Sequence, residues 1–358
     1  MPCLILSIDG GGLRGIIPVL ILKHIEQKVQ ASNGDARKLV TYFNLVSGTS
    51  TGGLIACGLS LGDQQDTGST RYDLSYIESI YKTKGNIIFP YKGRIREWWR
   101  NLQVSNLFSP QFSKDGLEKV LSEVFGENKI SNCIRPILVP SYNVLTNEPV
   151  YFSTRKAYQN NNLNFKLSDV CRATSAGPTY LPAHEISLSP SKMICVDGGV
   201  FQNNPTVSAL VEIMKYPEVY MPDEKVSLDD VFILSIGTGR YNQPIASKKA
   251  LSGGRLNWIA PIIDISMWGN SQAVDIHVSE VLKFTGKKSQ YLRINPKITN
   301  KKFSDMAIST EEAMTHYADR FKEDYLNDQN VQSALDQWLL DSGIVKLHSV
   351  PSNPAANP

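Results

Sequence analysis

The chain is short of the features that would place it in several common classes. Its five cysteines, Cys3, Cys57, Cys133, Cys171 and Cys195, are an odd number with no Cys-x-x-Cys pair. That argues against a zinc, iron–sulfur or disulfide framework and suits small buried side chains in a reducing compartment. No apolar run reaches the roughly 20 residues a membrane-spanning helix needs. Charges nearly cancel: 37 basic residues against 34 acidic leave +3, too little to imply a nucleic-acid polymer as partner. No basic leader precedes the first apolar segment, because Met1-Pro2-Cys3-Leu4-Ile5-Leu6 enters a core strand at once. The expectation is a cytoplasmic protein whose membrane contact, if any, is peripheral. Internal repeats and linker-like stretches are also missing. Hydrophobic residues at 42% and charged residues at 20% argue against a disordered chain.

What is present is a regular alternation of strand-like and helix-like segments, which predicts one α/β domain over residues 1–345. A tail, 346–358, follows; its Pro/Asn/Ala-rich end predicts disorder. Apolar strands are expected at Leu4–Ile8, within 42–47, 136–144, 149–153, Met193–Val196 and Asp230–Ile236, with an edge strand at Tyr291–Ile294. Helices are expected over Ile16–Val29, Leu74–Lys84, Lys114–Phe125, Asp169–Ser175 capped by Ser168, and Thr206–Lys215. Two longer ones follow, Ile259–Leu282 with an interruption near Gly269-Asn270, and Thr310–Leu340.

The chain is organised around Gly48-Thr49-Ser50-Thr51-Gly52. This G-x-S-x-G follows a buried-strand pattern and precedes an apolar segment able to form a helix, which is the context of a nucleophile elbow. A serine exposed on a sharp turn needs glycines two residues either side, where side chains would strike neighbouring backbone. The helix beginning after Ser50 aims its N-terminal N–H groups at any anion formed there.

A second glycine cluster, Gly10-Gly11-Gly12-Leu13-Arg14-Gly15, follows the first strand. It satisfies the dinucleotide fingerprint G-x-G-x-x-G, with Asp35 at the spacing of a ribose-binding acid. That reading leaves the elbow unexplained. Acyl transfer uses both loops, since consecutive glycines bring backbone N–H donors close to a developing oxyanion. Arg14 in such a loop is expected to support it structurally.

A serine hydroxyl needs a base. In the order serine, acid, histidine, only His277, His316 and His348 follow Asp197, and all three fall in predicted helices or the C-terminal segment. His24 lies on the first helix and His184 precedes the acid. Asp197 itself ends an apolar strand and is followed by Gly198 and Gly199, so it is the better base.

Taken in order, these three motifs resemble the signature of the patatin-like phospholipases: a G-G-G-x-R-G loop, a G-x-S-x-G elbow and a D-G-[GA] aspartate. The likeness extends to Ala173–Tyr180, Asn203-Asn204-Pro205, Ser235–Gly239 and Tyr291-Leu292-Arg293. It implies a patatin-like three-layer α/β/α sandwich with a mainly parallel sheet, and hydrolysis of fatty-acyl esters by a Ser50–Asp197 dyad without metal or cofactor. The oxyanion donors would come from Gly10, Gly11 and Gly12, with Thr51 as a further donor. The substrate implied is a phospholipid or other acyl lipid. Tuber patatins, in which storage accompanies hydrolysis, and bacterial relatives switched on by cyclic nucleotides are the family's other modes; nothing in the sequence marks a site for such an activator.

One stretch stands apart. Residues 86–100 interleave Ile87, Ile88, Phe89, Trp98 and Trp99 with Lys92, Arg94, Arg96 and Arg100. The mixture suits a membrane interface, with Phe89, Trp98 and Trp99 as a candidate rim; the alternative is aromatic packing on the core.

Overall fold

The computed structural model describes residues 1–66, 68–90, 110–188, 190–242, 251–252, 254–286 and 289–346. At its centre is β1 (Cys3–Ile8), buried along its whole length. Its side chains alternate between two apolar layers, as a strand's period of two dictates. Cys3 and Ile5 face one layer, while Leu4, Leu6 and Ile8 face the other. β2 (Leu45–Gly48) and β7 (Val231–Ile236) flank β1, both parallel to it. β8 (Tyr291–Ile294) extends the sheet beyond β7 as the expected edge strand.

On the other side, β2 pairs in parallel with β3 (Ile137–Asn143). An antiparallel hairpin joins β3 to β4 (Glu148–Ser153), and a second hairpin is formed by β5 (His184–Leu188) and β6 (Ser191–Asp197). The order is β5-β6-β3-β2-β1-β7-β8, with β4 also on β3. The run from β3 to β8 is parallel, so the sheet is mainly parallel and gains antiparallel strands at one side.

Helices cover both faces. One layer contains α1 (Ile16–Asn33), α2 (Thr51–Ser60), α3 (Leu74–Ile88), α4 (Asp115–Phe125) and α5 (Leu167–Thr174). The opposite layer contains α6 (Thr206–Lys215) and α7 (Arg255–Lys283). Near the C-terminus, α8 (Glu311–Phe321) and α9 (Gln329–Asp341) join the first layer, where Trp338 is buried. The result is the expected α/β/α sandwich. No described helix is long and apolar enough to cross a membrane.

The feature that positions the site is how β3 is shared. β4 occupies one edge of β3 over Leu138–Asn143. The other edge is divided, with β2 pairing Ile137 and Leu138 and β6 pairing Ser141–Asn143. β2 is parallel to β3 and β6 antiparallel, so their C-terminal ends approach each other head-on. The gap lies at Pro140, whose carbonyl accepts from Thr174 Oγ1 at 2.6 Å. Proline has no N–H to leave unpaired in such a gap, which is why it is tolerated inside an interior strand.

Three expectations are corrected. α7 runs through Gly269-Asn270 without interruption. An exposed helical glycine costs only about 1 kcal/mol relative to alanine, and the helix is anchored there by Ser266 Oγ to the Val200 carbonyl and Asn270 Nδ2 to the Phe201 carbonyl. The expected single helix over Thr310–Leu340 is two, because a π-turn at Lys322–Leu326 leads to Asp328, whose side chain caps α9. Lastly, α5 begins at Leu167, with Lys166 rather than Ser168 at the cap. β5 is absent from the sequence reading because only Ile186 in His184–Leu188 is buried, leaving almost no apolar alternation to detect. The tail beyond Lys346 lies outside the described residues.

Candidate active site

Ser50 sits between β2 and α2 with φ 54° and ψ −123°. Strain of this kind costs on the order of 1–3 kcal/mol in a non-glycine residue and persists only where the surroundings enforce it. They do so here by close approach. A Cβ on Gly48 would lie 2.0 Å from the Gly52 carbonyl oxygen, and one on Gly52 would lie 2.2 Å from the Ile8 carbonyl oxygen. Only glycine fits at either place. The turn is pinned from outside by Thr174 Oγ1, which accepts from the Ser50 N–H at 2.9 Å, and by Thr49 Oγ1, which donates to the Gln202 carbonyl at 2.8 Å.

Asp197 arrives at the end of β6, paired with Ser141 across the divided edge of β3. Burial raises its pKa to about 7; hydrogen bonds from the Gly199 N–H and the Ser50 hydroxyl hold it from rising further. The Gly199 N–H donates to Asp197 Oδ1 at 2.7 Å. Gly198 packs against β3, where a Cβ would meet the Pro140 carbonyl oxygen at 2.4 Å. The site therefore holds a carboxylate poised near neutrality, within reach of a serine hydroxyl.

The glycine loop lies over Ser50. Gly10 was expected among the oxyanion donors, but its N–H already donates to the Asn203 carbonyl at 3.1 Å. Its own carbonyl accepts from Thr238 Oγ1 at 2.7 Å. Leu13 donates to the Met306 carbonyl at 2.8 Å. Among the described residues, no hydrogen bond takes up the N–H of Gly11, Gly12 or Thr51. Of the four expected donors, Gly10 is thus already engaged and the other three N–H groups are not. Gly12 has φ +56°, and a Cβ there would also strike the Met306 carbonyl oxygen at 2.4 Å. Arg14 is buried as the loop's support: Nε reaches the Gly11 carbonyl at 3.5 Å, Nη1 donates to the Ser304 carbonyl at 3.0 Å, and the guanidinium stands 5.4 Å from the Trp268 ring. Gly15 packs against Thr51 and Tyr81.

Beneath the loop is an ion pair that the sequence reading did not single out. Arg293 on β8 meets Asp9 through Nη1 to Oδ1 at 2.8 Å and Nη2 to Oδ2 at 2.5 Å. Ser271 of α7 donates to Asp9 Oδ2 at 2.8 Å. Charge on Asp9 raises the arginine's pKa against its own burial. The pair fixes the C-terminal end of β1, where the glycine loop starts. A carboxylate at a strand end directly before the glycines was the available signal.

From Ser50 an apolar cavity runs between α2, α3 and α4, with roughly 800 Å³ of empty space counting its open mouth. Its walls are one stripe from each helix: Leu54, Ile55 and Gly58; Ile77, Ile80, Tyr81, Gly85 and Ile88; Leu117, Val120, Leu121, Val124 and Phe125. Phe89, proposed for a membrane rim, is instead buried, lines this cavity and packs edge-on against Phe112 with ring centres 5.0 Å apart. Trp98 and Trp99 lie outside the described residues.

None of the described histidines serves the site. His24 Nδ1 pairs with the Tyr325 hydroxyl, His184 Nε2 with Asp169, His316 stacks on Phe303, and His277 is exposed. The dinucleotide alternative also fails, because Asp35 lies exposed beyond the far end of α1, where it accepts from the Arg37 N–H. Among the described residues no acidic, histidine or cysteine cluster could hold a metal ion, and the described cysteines are all buried thiols.

An apolar cavity opening on a hydroxyl at a strand-to-helix turn is what an enzyme acting on acyl chains needs, and fold and site together define a lipid acyl hydrolase. The chain belongs to the patatin-like phospholipase family, whose family model, described as "Patatin-like phospholipase", matches residues 6–210. Patatin-like protein 3 of Arabidopsis thaliana is 33% identical over 87% of this chain and 77% of its own length. Patatin-like protein 1 of the same plant is 32% identical over 86% of this chain and 77% of its own. Patatin-04/09 of Solanum tuberosum is 28% identical over 87% and 80%. Among solved structures, VipD from Legionella pneumophila aligns over 94% of this chain and 67% of that one, at 13% identity and a TM-score of 0.44.

Two outcomes test this geometry. Arg293→Met strands a buried Asp9 carboxylate and should lower unfolding stability by about 3–5 kcal/mol in urea titrations; a loss under 1 kcal/mol would mean that the pair does not brace the loop. Asp197→Asn tests the desolvated carboxyl. With a folded pKa of about 7 against 3.8 ordinarily, the native state holds a proton that the unfolded chain has already released between those values. Its contribution to stability therefore falls as pH rises through that window and stays low above it. The asparagine variant should gain on wild type by about 2–3 kcal/mol more at pH 8 than at pH 5. An equal difference at the two pH values would place the Asp197 pKa in the ordinary range.

Proposed function

We propose that the chain is a phospholipase A or lysophospholipase that cleaves fatty-acyl esters of membrane lipids, with Ser50 as nucleophile and Asp197 as base. The observation that carries this reading is the meeting of a strained serine with a buried carboxyl of pKa about 7 at the head of an apolar cavity. In the proposed first step, Ser50 Oγ attacks the ester carbonyl carbon as its proton passes to Asp197. The carbonyl oxygen takes the negative charge and is met by the N–H groups of Gly11, Gly12 and Thr51. Collapse expels the alcohol, which takes the proton from Asp197, and leaves the acyl group on Ser50. Water then repeats the sequence, losing a proton to Asp197 and releasing the carboxylic acid. Each oxyanion donor is worth about 2.7–4 kcal/mol in systems of this kind. No step in this scheme calls for calcium. The lipid substrate brings the protein transiently to a membrane surface.

Labelling with a fluorophosphonate probe tests the nucleophile. Wild type should label, Ser50→Ala should not, and Asp197→Ala should label far more slowly with its fold intact by circular dichroism. Undiminished labelling of Ser50→Ala would remove Ser50 from the mechanism. The base has its own signature. Because only the ionised carboxyl accepts a proton, kcat/KM on a soluble short-chain ester should fall about tenfold per pH unit below about 7 and level off above it. A profile that is flat from pH 5 to pH 8 would exclude Asp197 as the titrating base.

A further inference from the structure

Two residues facing the cavity are glycines inside helices, Gly58 on α2 and Gly85 on α3. Glycine weakens a helix, and an apolar void forfeits packing contacts. Both penalties fall on the same space. A Cβ on Gly58 would lie 3.3 Å from Ile77 Cδ1, and one on Gly85 would lie 3.1 Å from Leu13 Cδ2. Both neighbours line the cavity as well, so a side chain at either glycine would press on the cavity's own wall. We propose that the cavity is a length gauge, seating one straight acyl chain end-on, with Gly58 setting how deep the chain can go. This rests on the acyl-hydrolase reading and names its substrate class, esters of medium-length chains.

The depth follows from the helices. Ser50 and Gly58 are eight residues apart along α2, about 12 Å at 1.5 Å per residue. At the Gly58 end the cavity is lined by Tyr72, Val124 and Phe125, where the Tyr72 hydroxyl donates to the Val124 carbonyl at 2.5 Å and ties the start of α3 to the end of α4. An extended chain with C–C bonds of about 1.5 Å advances roughly 1.3 Å per carbon, so about ten carbons reach that wall. In a longer ester the added carbons hold the carbonyl away from Ser50, and in a longer free acid they stay at the mouth and bury nothing further.

The test is a chain-length series read in two ways. One is kcat/KM on p-nitrophenyl esters from butanoyl to hexadecanoyl. The other is binding of free saturated fatty acids to Ser50→Ala. Each added methylene should raise both by about fourfold, equivalent to the roughly 0.8 kcal/mol of burying one CH₂. The rise should stop near ten carbons. Gly58→Leu should move the break down to about seven carbons, since its side chain occupies roughly 4 Å of the path. If the leucine variant does not fold, Gly58→Ala should move it by about one carbon. Ester cleavage with no break, or with a break that Gly58 variants leave in place, overturns the gauge and leaves the hydrolase reading standing. Failure to cleave any ester sinks the hydrolase reading. The fatty-acid series then still decides the gauge, which a break near ten carbons supports and a featureless series overturns.

Discussion

The site depends on two strands being aimed at each other along a single edge of β3. β2 stops after pairing with Leu138, and β6 stops with Asp197 opposite Ser141. About 10 Å of edge lies between these positions at 3.3 Å per residue. That is enough for one tight turn and no more. The backbone leaving β2 has to turn sharply into α2, which carries Ser50 to positive φ, and the chain leaving β6 brings its carboxyl to the same gap. A proline at position 140 keeps the gap from closing into an ordinary ladder, because it offers the edge no N–H. Thr174 then occupies the opening, accepting from the Ser50 N–H and donating to the Pro140 carbonyl. One hydroxyl thus ties the elbow to β3, the strand against which β6 also sets Asp197.

Several unfavourable features collect around this gap. They include a strained serine, a desolvated carboxyl, an apolar void and two helical glycines. Each costs on the order of 1–4 kcal/mol, so together they would consume much of a typical domain's stability. The surrounding structure must over-determine the site for them to persist. The Asp9–Arg293 pair supplies part of that support by joining β1, β8 and α7 directly under the glycine loop. Such a pair is a better brace than source of stability, since removing two charges from water offsets most of their attraction. Its geometry is what matters, because both carboxylate oxygens are held and the next residue is Gly10.

Much of this was legible in the sequence, for identifiable reasons. β1 and β7 are runs of apolar residues buried on both faces, and Gly48, Ser50 and Gly52 occur at the only spacing a nucleophile elbow tolerates. Asp197 stood out once the histidines lacked a suitable context. Other features were illegible because they arise from tertiary contact. Whether Gly10 or Gly11 keeps a free N–H depends on Asn203, nearly two hundred residues away. The apolar stripes of α3 and α4 have the same period as any core-facing helix, so nothing local distinguishes a packed seam from an open one. Phe89 illustrates the same ambiguity, since its composition-rich neighbourhood suggested a surface while its side chain turned inward.

Under the proposed mechanism, an aspartate in place of histidine changes the electrostatics of the transition state. When imidazole accepts the serine proton, it becomes a cation beside the oxyanion, and the two charges stabilise each other. When a carboxylate accepts it, the base becomes neutral and the site's single negative charge moves to the substrate oxygen. No new cation compensates. The burden then falls on groups already in place, the N–H donors of Gly11, Gly12 and Thr51 and the N-terminal dipole of α2. The same burial that lifts the Asp197 pKa towards that of an imidazole also strengthens those dipoles by excluding water. A dry site therefore serves both halves of the proton transfer, which is why the carboxyl is buried, the glycine loop is clamped and the cavity beneath them is apolar.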